Sequence, residues 1–247
     1  EENFLYMEMM KAFLYGTGLQ FRMDIRSRTL LVTCYLVPLL FFAVMGGIFT
    51  SLMPEAGETL IQSMTVMGVS MGALIGVPQS LAEIYGTDIK KMYQANGIPL
   101  YFGLLSLAAS AFVHLMIMSG IIALAAPAVF GARAVTQPFL YAGKLALFTA
   151  ASLGVAGAAG LLVKNQAKLT MYCQIVFLPS ILLSGIMFPA DLLPGALEMF
   201  GRLFPAAWGY RLLAGAETGG TAALVLTGIC LLAAALCVFL LKRIGTE

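Results

Sequence analysis

The hydrophobic pattern divides the chain into six long, almost unbroken apolar runs: Thr29 to Met53, Thr59 to Ala82, Pro99 to Phe130, Phe139 to Val163, Leu169 to Phe188 and Thr221 to Leu241. A helix needs roughly 17–25 mostly apolar residues to cross the hydrocarbon core of a bilayer, so each run predicts a transmembrane helix. The third run holds 32 residues. At 1.5 Å per residue that is about 48 Å, against a core of about 30 Å, so part of it must lie outside the core. The expected fold is an all-α membrane protein, with residues 1–28 as an N-terminal interfacial helix and residues 29–247 as a six-helix transmembrane domain.

Composition agrees with the pattern. Of the 247 residues 60% are hydrophobic and 11% charged, with a mean hydropathy of +0.93, whereas a soluble domain carries about 45–50% apolar and about 25% charged residues. A water-soluble globule is excluded. The formal charge of +2 is too small and too dispersed for a nucleic-acid footprint. Among the charged residues only Lys144 falls inside an apolar run, close enough to one end for its stem to carry the ammonium to the headgroups. An even number of spans puts both termini on one side, and the Lys/Arg balance orients the chain. Ten basic residues lie on the terminus side and three, Arg133, Arg202 and Arg211, on the other, so both termini are expected in the cytoplasm. The first run begins only at residue 29, behind a partly acidic segment, and reads as a retained helix rather than a cleaved leader. Cys34, Cys173, Cys230 and Cys237 all fall within spans and read as small buried apolar residues.

The connecting segments carry the remaining pattern. In residues 1–28, Met9, Met10, Phe13 and Leu14 share one helical face, and Gly16 and Gly18 are expected to interrupt it, giving an interfacial helix and a bend. Between spans two and three, Thr87 or Asp88 can cap a short helix, Gly97 can end it and Pro99 can open the next span. Its Ile89, Met92 and Tyr93 form an apolar stripe flanked by Lys90 and Lys91, suited either to headgroups or to a groove on a partner. After span five, an apolar segment broken by Pro189, Pro194 and Pro205 predicts a re-entrant external helical hairpin, the alternative being an amphipathic helix lying flat. Gly68, Gly72 and Gly76 on span two, and Gly154, Gly157 and Gly160 on span four, predict close helix contacts.

Several chemistries find no support in the sequence. The only Gly-Lys pair, Gly143-Lys144, is followed by Leu145 inside a span, so no P-loop is present. His114 is the only histidine, its role open, and no acidic residue lies within a run to complete a metal site or carry protons or sodium. No catalytic residue and no bound metal or cofactor is expected of this chain, and its energy should come from outside.

Two motifs give these features a family likeness. Glu83, Gly86, Thr87, Lys90, Lys91 and Pro99 form the first, and Ser184, Gly185, Phe188, Pro189, Leu193, Pro194 and Pro205 the second. Placed among six spans, they make the chain resemble the ABC-2 type permeases, the exporter group that includes daunorubicin-type drug permeases. Ile84 and Tyr85 stand where members often carry Arg or Glu. The resemblance implies a multi-pass permease of the bacterial plasma membrane, paired with a second copy as homodimer or heterodimer. It also implies two cytoplasmic ATPase subunits, which hold ATP and Mg. Glu83, Gly86, Thr87, Lys90, Lys91, Met92, Tyr93 and Pro99 would then make the ATPase contact, braced by the N-terminal helix.

For the cargo path, spans two and five are expected to line a dimer interface, with Gln62, Thr65, Gln79, Gln174, Phe177 and Ser180 as contacts. Interhelical hydrogen bonding is the competing explanation for these groups. None carries charge, so the expected cargo is amphipathic or hydrophobic: a drug, a peptide or a lipid-like molecule. A secondary transporter and a non-transporting scaffold or receptor are the alternatives.

Overall fold

The computed structural model of the chain describes all residues except 1, 53–56, 87–88, 164, 188–193, 216–218 and 247. The side chains of 2–9, 28–29, 52, 90 and 246 also lie outside the description. Among the described residues the protein is built of helices and turns, without strands. α1 (Glu2–Arg26) leads into α2 (Arg28–Leu31), a π-helical turn at Val32–Leu36 and α3 (Val37–Leu52), the last three forming one continuous helix. α4 (Leu60–Met71) and α5 (Val77–Gly86) are likewise joined through a π-helical turn at Gly72–Gly76. Each π-turn sits one residue before an X-Pro pair, Val37-Pro38 and Val77-Pro78. A proline inside a helix has no N–H to give and crowds the preceding turn, and a widened turn relieves this. The two widened turns pack on each other, a Cβ at Gly72 lying 3.3 Å from the Cys34 sulfur and one at Gly76 3.1 Å from the Thr33 hydroxyl.

The chain continues as α6 (Ile89–Ala95), α7 (Tyr101–Phe130), α8 (Pro138–Leu162), α9 (Gln166–Leu182), α10 (Gly195–Gly201), α11 (Pro205–Leu213) and α12 (Gly219–Thr246). Five helical stretches are long and apolar enough to cross a membrane: Val32–Ser51, Leu60–Gly86, Tyr101–Phe130, Pro138–Leu162 and Gly219–Gly245. The sixth expected span, Leu169 to Phe188, is shorter than its apolar run. α9 has 17 residues, about 25 Å at 1.5 Å per residue, the lower limit of what a crossing helix needs. It stops because the chain turns after Leu182 through Gly185, at φ +85°, a backbone conformation open to glycine.

The α4–α5 stretch is the centre of the bundle, 83% of its apolar window being buried, against 28% for α3 and for α12. The outer helices turn Leu40, Val44 and Ile48, and Leu224, Leu231 and Leu232, away from the protein. Such faces are unfavourable in water, at about 25 cal/mol per Å² of apolar area, and neutral in lipid. Both glycine stripes face neighbouring helices, as expected. A Cβ at Gly72 would lie 2.4 Å from Leu115, and one at Gly160 3.0 Å from the backbone of Pro78.

α1 departs from the expected bend. It stays helical through Gly16 and Gly18 to Arg26, because Gly16 seats the Phe102 ring, which a Cβ would meet at 2.4 Å. A glycine inside a helix costs about 1 kcal/mol relative to alanine, a modest sum beside the packing of an aromatic ring. α1 runs alongside the first part of α7: Phe13 meets Phe102 edge-on at 6.2 Å, and Phe21 stacks on His114 at 4.3 Å. With 30 residues, α7 is about 45 Å long and exceeds the core by about 15 Å, and α1 braces that end.

Candidate functional site

The segment between α5 and α7 is fixed by three local devices. Tyr85, buried at 8% exposure, places its hydroxyl where α7 begins, donating to the Leu100 carbonyl at 2.5 Å and accepting the Leu104 N–H at 2.9 Å. It thereby satisfies one of the amides that every helix start leaves without an intrahelical partner. α6 ends at Gly97, φ +66°, with Ile98 N–H on the Tyr93 carbonyl at 2.9 Å and Gly97 N–H on the Gln94 carbonyl at 3.2 Å, a Schellman closure. Gly103 allows α6 to approach α7, since a Cβ there would stand 3.0 Å from the Tyr93 ring.

The expected stripe on α6 is therefore split. Tyr93 turns inward, while Met92 is 62% and Ile89 39% exposed. Glu83 accepts a hydrogen bond from Gln166 at 3.4 Å, linking α5 to the start of α9. Gly86 ends α5, and Lys91 is on the exposed side of α6. The Pro99 carbonyl accepts the Phe102 N–H at 3.0 Å at the start of α7. Thr87, and the side chain of Lys90, lie outside the described residues. Ile84 and Tyr85, the departure from the family motif, face inward against Gly103 and α7 rather than outward with Met92. A Cβ at Gly245 would stand 3.4 Å from Leu100, so the end of α12 joins this end of the bundle with Lys242 and Arg243.

One buried polar group was missed in the sequence. Asp24 lies before the first apolar run, outside every expected span, yet it is only 4% exposed. It accepts hydrogen bonds from Gln20 Nε2 at 2.8 Å and from the Ser110 hydroxyl. Nearby, His114 Nδ1 is hydrogen-bonded to the Tyr35 hydroxyl at 2.8 Å. The physical reason is tertiary: α1 lies against α7, and a carboxylate that looks solvated in sequence is covered by a neighbouring helix. The signal available was the spacing of Phe13, Gln20, Phe21 and Asp24, which share a face when α1 runs unbroken.

At the opposite end, Ser184 closes the turn after α9 by donating to the Ile181 carbonyl at 2.7 Å and accepting the Ile186 N–H at 3.3 Å, with Gly185 beside it. Phe188, Pro189 and Leu193 lie outside the described residues. The Pro194 carbonyl accepts the Leu197 and Glu198 amides at 2.8 and 3.1 Å to start α10, and Pro205 is the first residue of α11. The two short helices differ. α10 exposes Met199 and Phe200, while α11 buries Ala206, Ala207, Leu212 and Leu213, its Gly209 pressed on Phe148 of α8. Glu198 joins them by ion pairs to Arg202 at 2.8 Å and Arg211 at 3.0 Å. Hydrogen bonding and charge from Arg202, then from Arg211, hold the Glu198 carboxyl below its ordinary pKa.

The six expected path residues do not form one surface within the chain. Thr65 is fully buried and accepts from the Tyr141 hydroxyl at 3.1 Å, Phe177 is buried, and Ser180 donates to the Phe177 carbonyl of its own helix. Gln79 donates to Thr170 at 3.4 Å across α5 and α9, and Gln174 faces outward. Gln62 stands apart: it lines a polar cavity of about 300 Å³ with Glu58, Arg133, Gln137, Tyr141 and Lys144. A larger cavity of about 890 Å³ between α1, α7, α8 and α12 is lined almost wholly by apolar groups such as Phe112, Leu153 and Val238.

A bundle of lipid-facing helices around a buried central span, closed at one end by a short helix with exposed apolar residues, defines a multi-pass membrane protein. A family model described as ABC-2 type transporter matches residues 12–218, which cover most of the bundle. The chain belongs to the ABC-2 type transporter family and is a membrane transport subunit, a class that works in association with ABC ATPase subunits. The match is to the family as a whole rather than to its daunorubicin-type group. No curated protein matches the chain.

Proposed function

We propose that the chain is the membrane-spanning half of an exporter that moves an amphipathic or hydrophobic cargo across the plasma membrane. It would pair with a second permease copy, and two ATPase subunits in the cytoplasm, holding ATP and Mg, would supply the work. Both termini and α6 lie on the cytoplasmic side in this reading. The observation that carries it is α6 itself: a seven-residue helix closed at Gly97 and held on α7 through Tyr93, yet presenting Met92 and Ile89 outward. A lever must be stiff where it joins the bundle and complementary where it meets its motor. Tyr85, Gly97 and Gly103 supply the stiffness, and the exposed pair supplies a contact for a groove. Movement of α6 would bias α7, whose start Tyr85 clamps, between two arrangements.

At the far end, α11 reaches Phe148, ten residues along α8 from Pro138, or about 15 Å of helix. That depth supports a re-entrant hairpin over a flat surface helix. Gln174 faces outward on α9 and is available to a second copy, whereas the central span is enclosed by its own chain.

The test is co-purification with the cognate ATPase in detergent. Ile89→Asp with Met92→Asp is expected to abolish ATPase binding and vesicle export while leaving the thermal unfolding of the isolated permease unchanged. Full ATPase binding and full export in that variant would sink the coupling role of α6. Uphill transport by the chain alone, driven by an ion gradient, would replace this reading with a secondary transporter.

A further inference from the structure

The polar cavity at the end opposite α6 has a composition that the bilayer does not explain. It is built from the start of α4, the loop between α7 and α8, the first two turns of α8 and the end of α11. The loop is tied down by the Arg133 N–H on the Gly57 carbonyl at 3.2 Å, and the Tyr141–Thr65 hydrogen bond stands beside Gln62. Lys144 lies six residues beyond Pro138, about 9 Å along α8. It is half-buried, while Arg133 and Glu58 are exposed at the cavity mouth, and neither Lys144 nor Arg133 makes an ion pair among the described residues. The Gln62 side-chain oxygen is also buried without a hydrogen-bond partner. A cation as deep as Lys144 without a direct ion-pair partner is unfavourable, and such residues mark binding sites or paths. Two cations seek an oxyanion; a carboxylate and a buried amide oxygen seek a donor.

We propose that this cavity receives the headgroup of a phosphate-bearing amphiphile that also carries a hydroxyl or ammonium donor. Lys144 and Arg133 hold the phosphate, the arginine fork by paired hydrogen bonds and the lysine as a point charge. Gln62 and Glu58 take the donor. At about 300 Å³ the cavity is at the lower limit for a drug-sized ligand, so it holds the headgroup while the tail stays in lipid. The proposal rests on the export reading, of which it names the cargo class. It also alters an expectation from the sequence, in which the candidate path carried no charge: Gln62 shares its cavity with two cations.

The experiment is headgroup binding by the full chain in detergent, followed by native mass spectrometry with short-chain phosphatidylglycerol, phosphatidylcholine and inorganic phosphate as probes. Phosphatidylglycerol is expected to bind about tenfold more tightly than phosphatidylcholine, since charge-assisted hydrogen bonds to a donor-bearing headgroup are involved. Lys144→Gln and Arg133→Gln should each remove most of that preference, Lys144→Arg should retain it, and Gln62→Leu should reduce it without abolishing phosphate contact. Lys242→Gln, at the other end, should leave it intact. Equal loss from Lys242→Gln would mean general attraction of anionic lipid and overturn the site. So would unchanged preference in both Lys144→Gln and Arg133→Gln, or displacement of the lipid by equimolar inorganic phosphate. The assay contains no ATPase, so its failure is distinct from failure of the export reading. Export lost through α6 substitutions with headgroup binding kept, or the reverse, separates the two.

Discussion

The two ends of the bundle are finished by opposite chemistries. At the α6 end the entry to α7 is fixed by uncharged devices: the Tyr85 hydroxyl on the start of α7, the Gly97 closure and the Gly103 contact. At the other end, Glu198 bridges Arg202 and Arg211, and Lys144 and Arg133 face a polar cavity. A neutral closure keeps its geometry whatever the ionic conditions and suits a segment that transmits force. A charged closure is tunable and can bind. In the proposed reading, rigidity belongs to the end that meets the ATPase and affinity to the end that holds the headgroup.

The comparison can be tested first with one glycine from each end. A Cβ at Gly201 would lie 2.4 Å from the Leu183 carbonyl oxygen, a backbone atom, whereas at Gly103 it meets only side chains, at 3.0 Å and beyond. Gly201→Ala is therefore expected to destabilise by about 3 kcal/mol, near the upper end for overpacking. In Gly103→Ala a smaller clash is offset by about 1 kcal/mol of helix propensity. Thermal unfolding in detergent should rank them in that order; the reverse order would show that the α10 end gives way and the α6 end does not.

The next effect in size is Tyr85→Phe, which strips two hydrogen bonds from the start of α7 and leaves the Leu104 amide unsatisfied, at a cost of about 2 kcal/mol. Faster amide exchange confined to residues 100–104 would identify the clamp, and unchanged exchange would remove it from the account. Smallest is the pH response of the charged end. Glu198 has a lowered pKa in the folded chain, so its ion pairs contribute fully above the ordinary carboxyl range and are lost as pH falls through the lowered value. Because Glu198 is partly exposed, the effect is screened and modest. As pH falls through the lowered Glu198 value, the Trp208 fluorescence, reporting the stack of Arg211 at 5.4 Å, should shift in the native chain and be insensitive to pH in Glu198→Gln.

Much of the architecture was legible because a bilayer imposes a length and polarity filter that sequence reports directly. Helices, short α6 with its Gly97 stop, glycine contacts and the proline that opens α11 all follow from local preferences. Three features did not follow. Gly16 and Gly18 read as a bend until Phe102 filled the space above Gly16. Asp24 stands outside every apolar run, and its burial comes from α7. Lys144 and Gln62 read as unrelated until α4 and α8 came together. In each case the deciding neighbour is remote in sequence.

The order of apolar runs, the punctuation between them and the two motifs were enough to determine a helical membrane protein of the ABC-2 kind, since hydrophobicity and backbone preference act over a few residues. Which charges are buried, which face of α6 is exposed and what the cavity can hold were decided only by packing. Those properties depend on distances between segments, and no pattern along one segment encodes them.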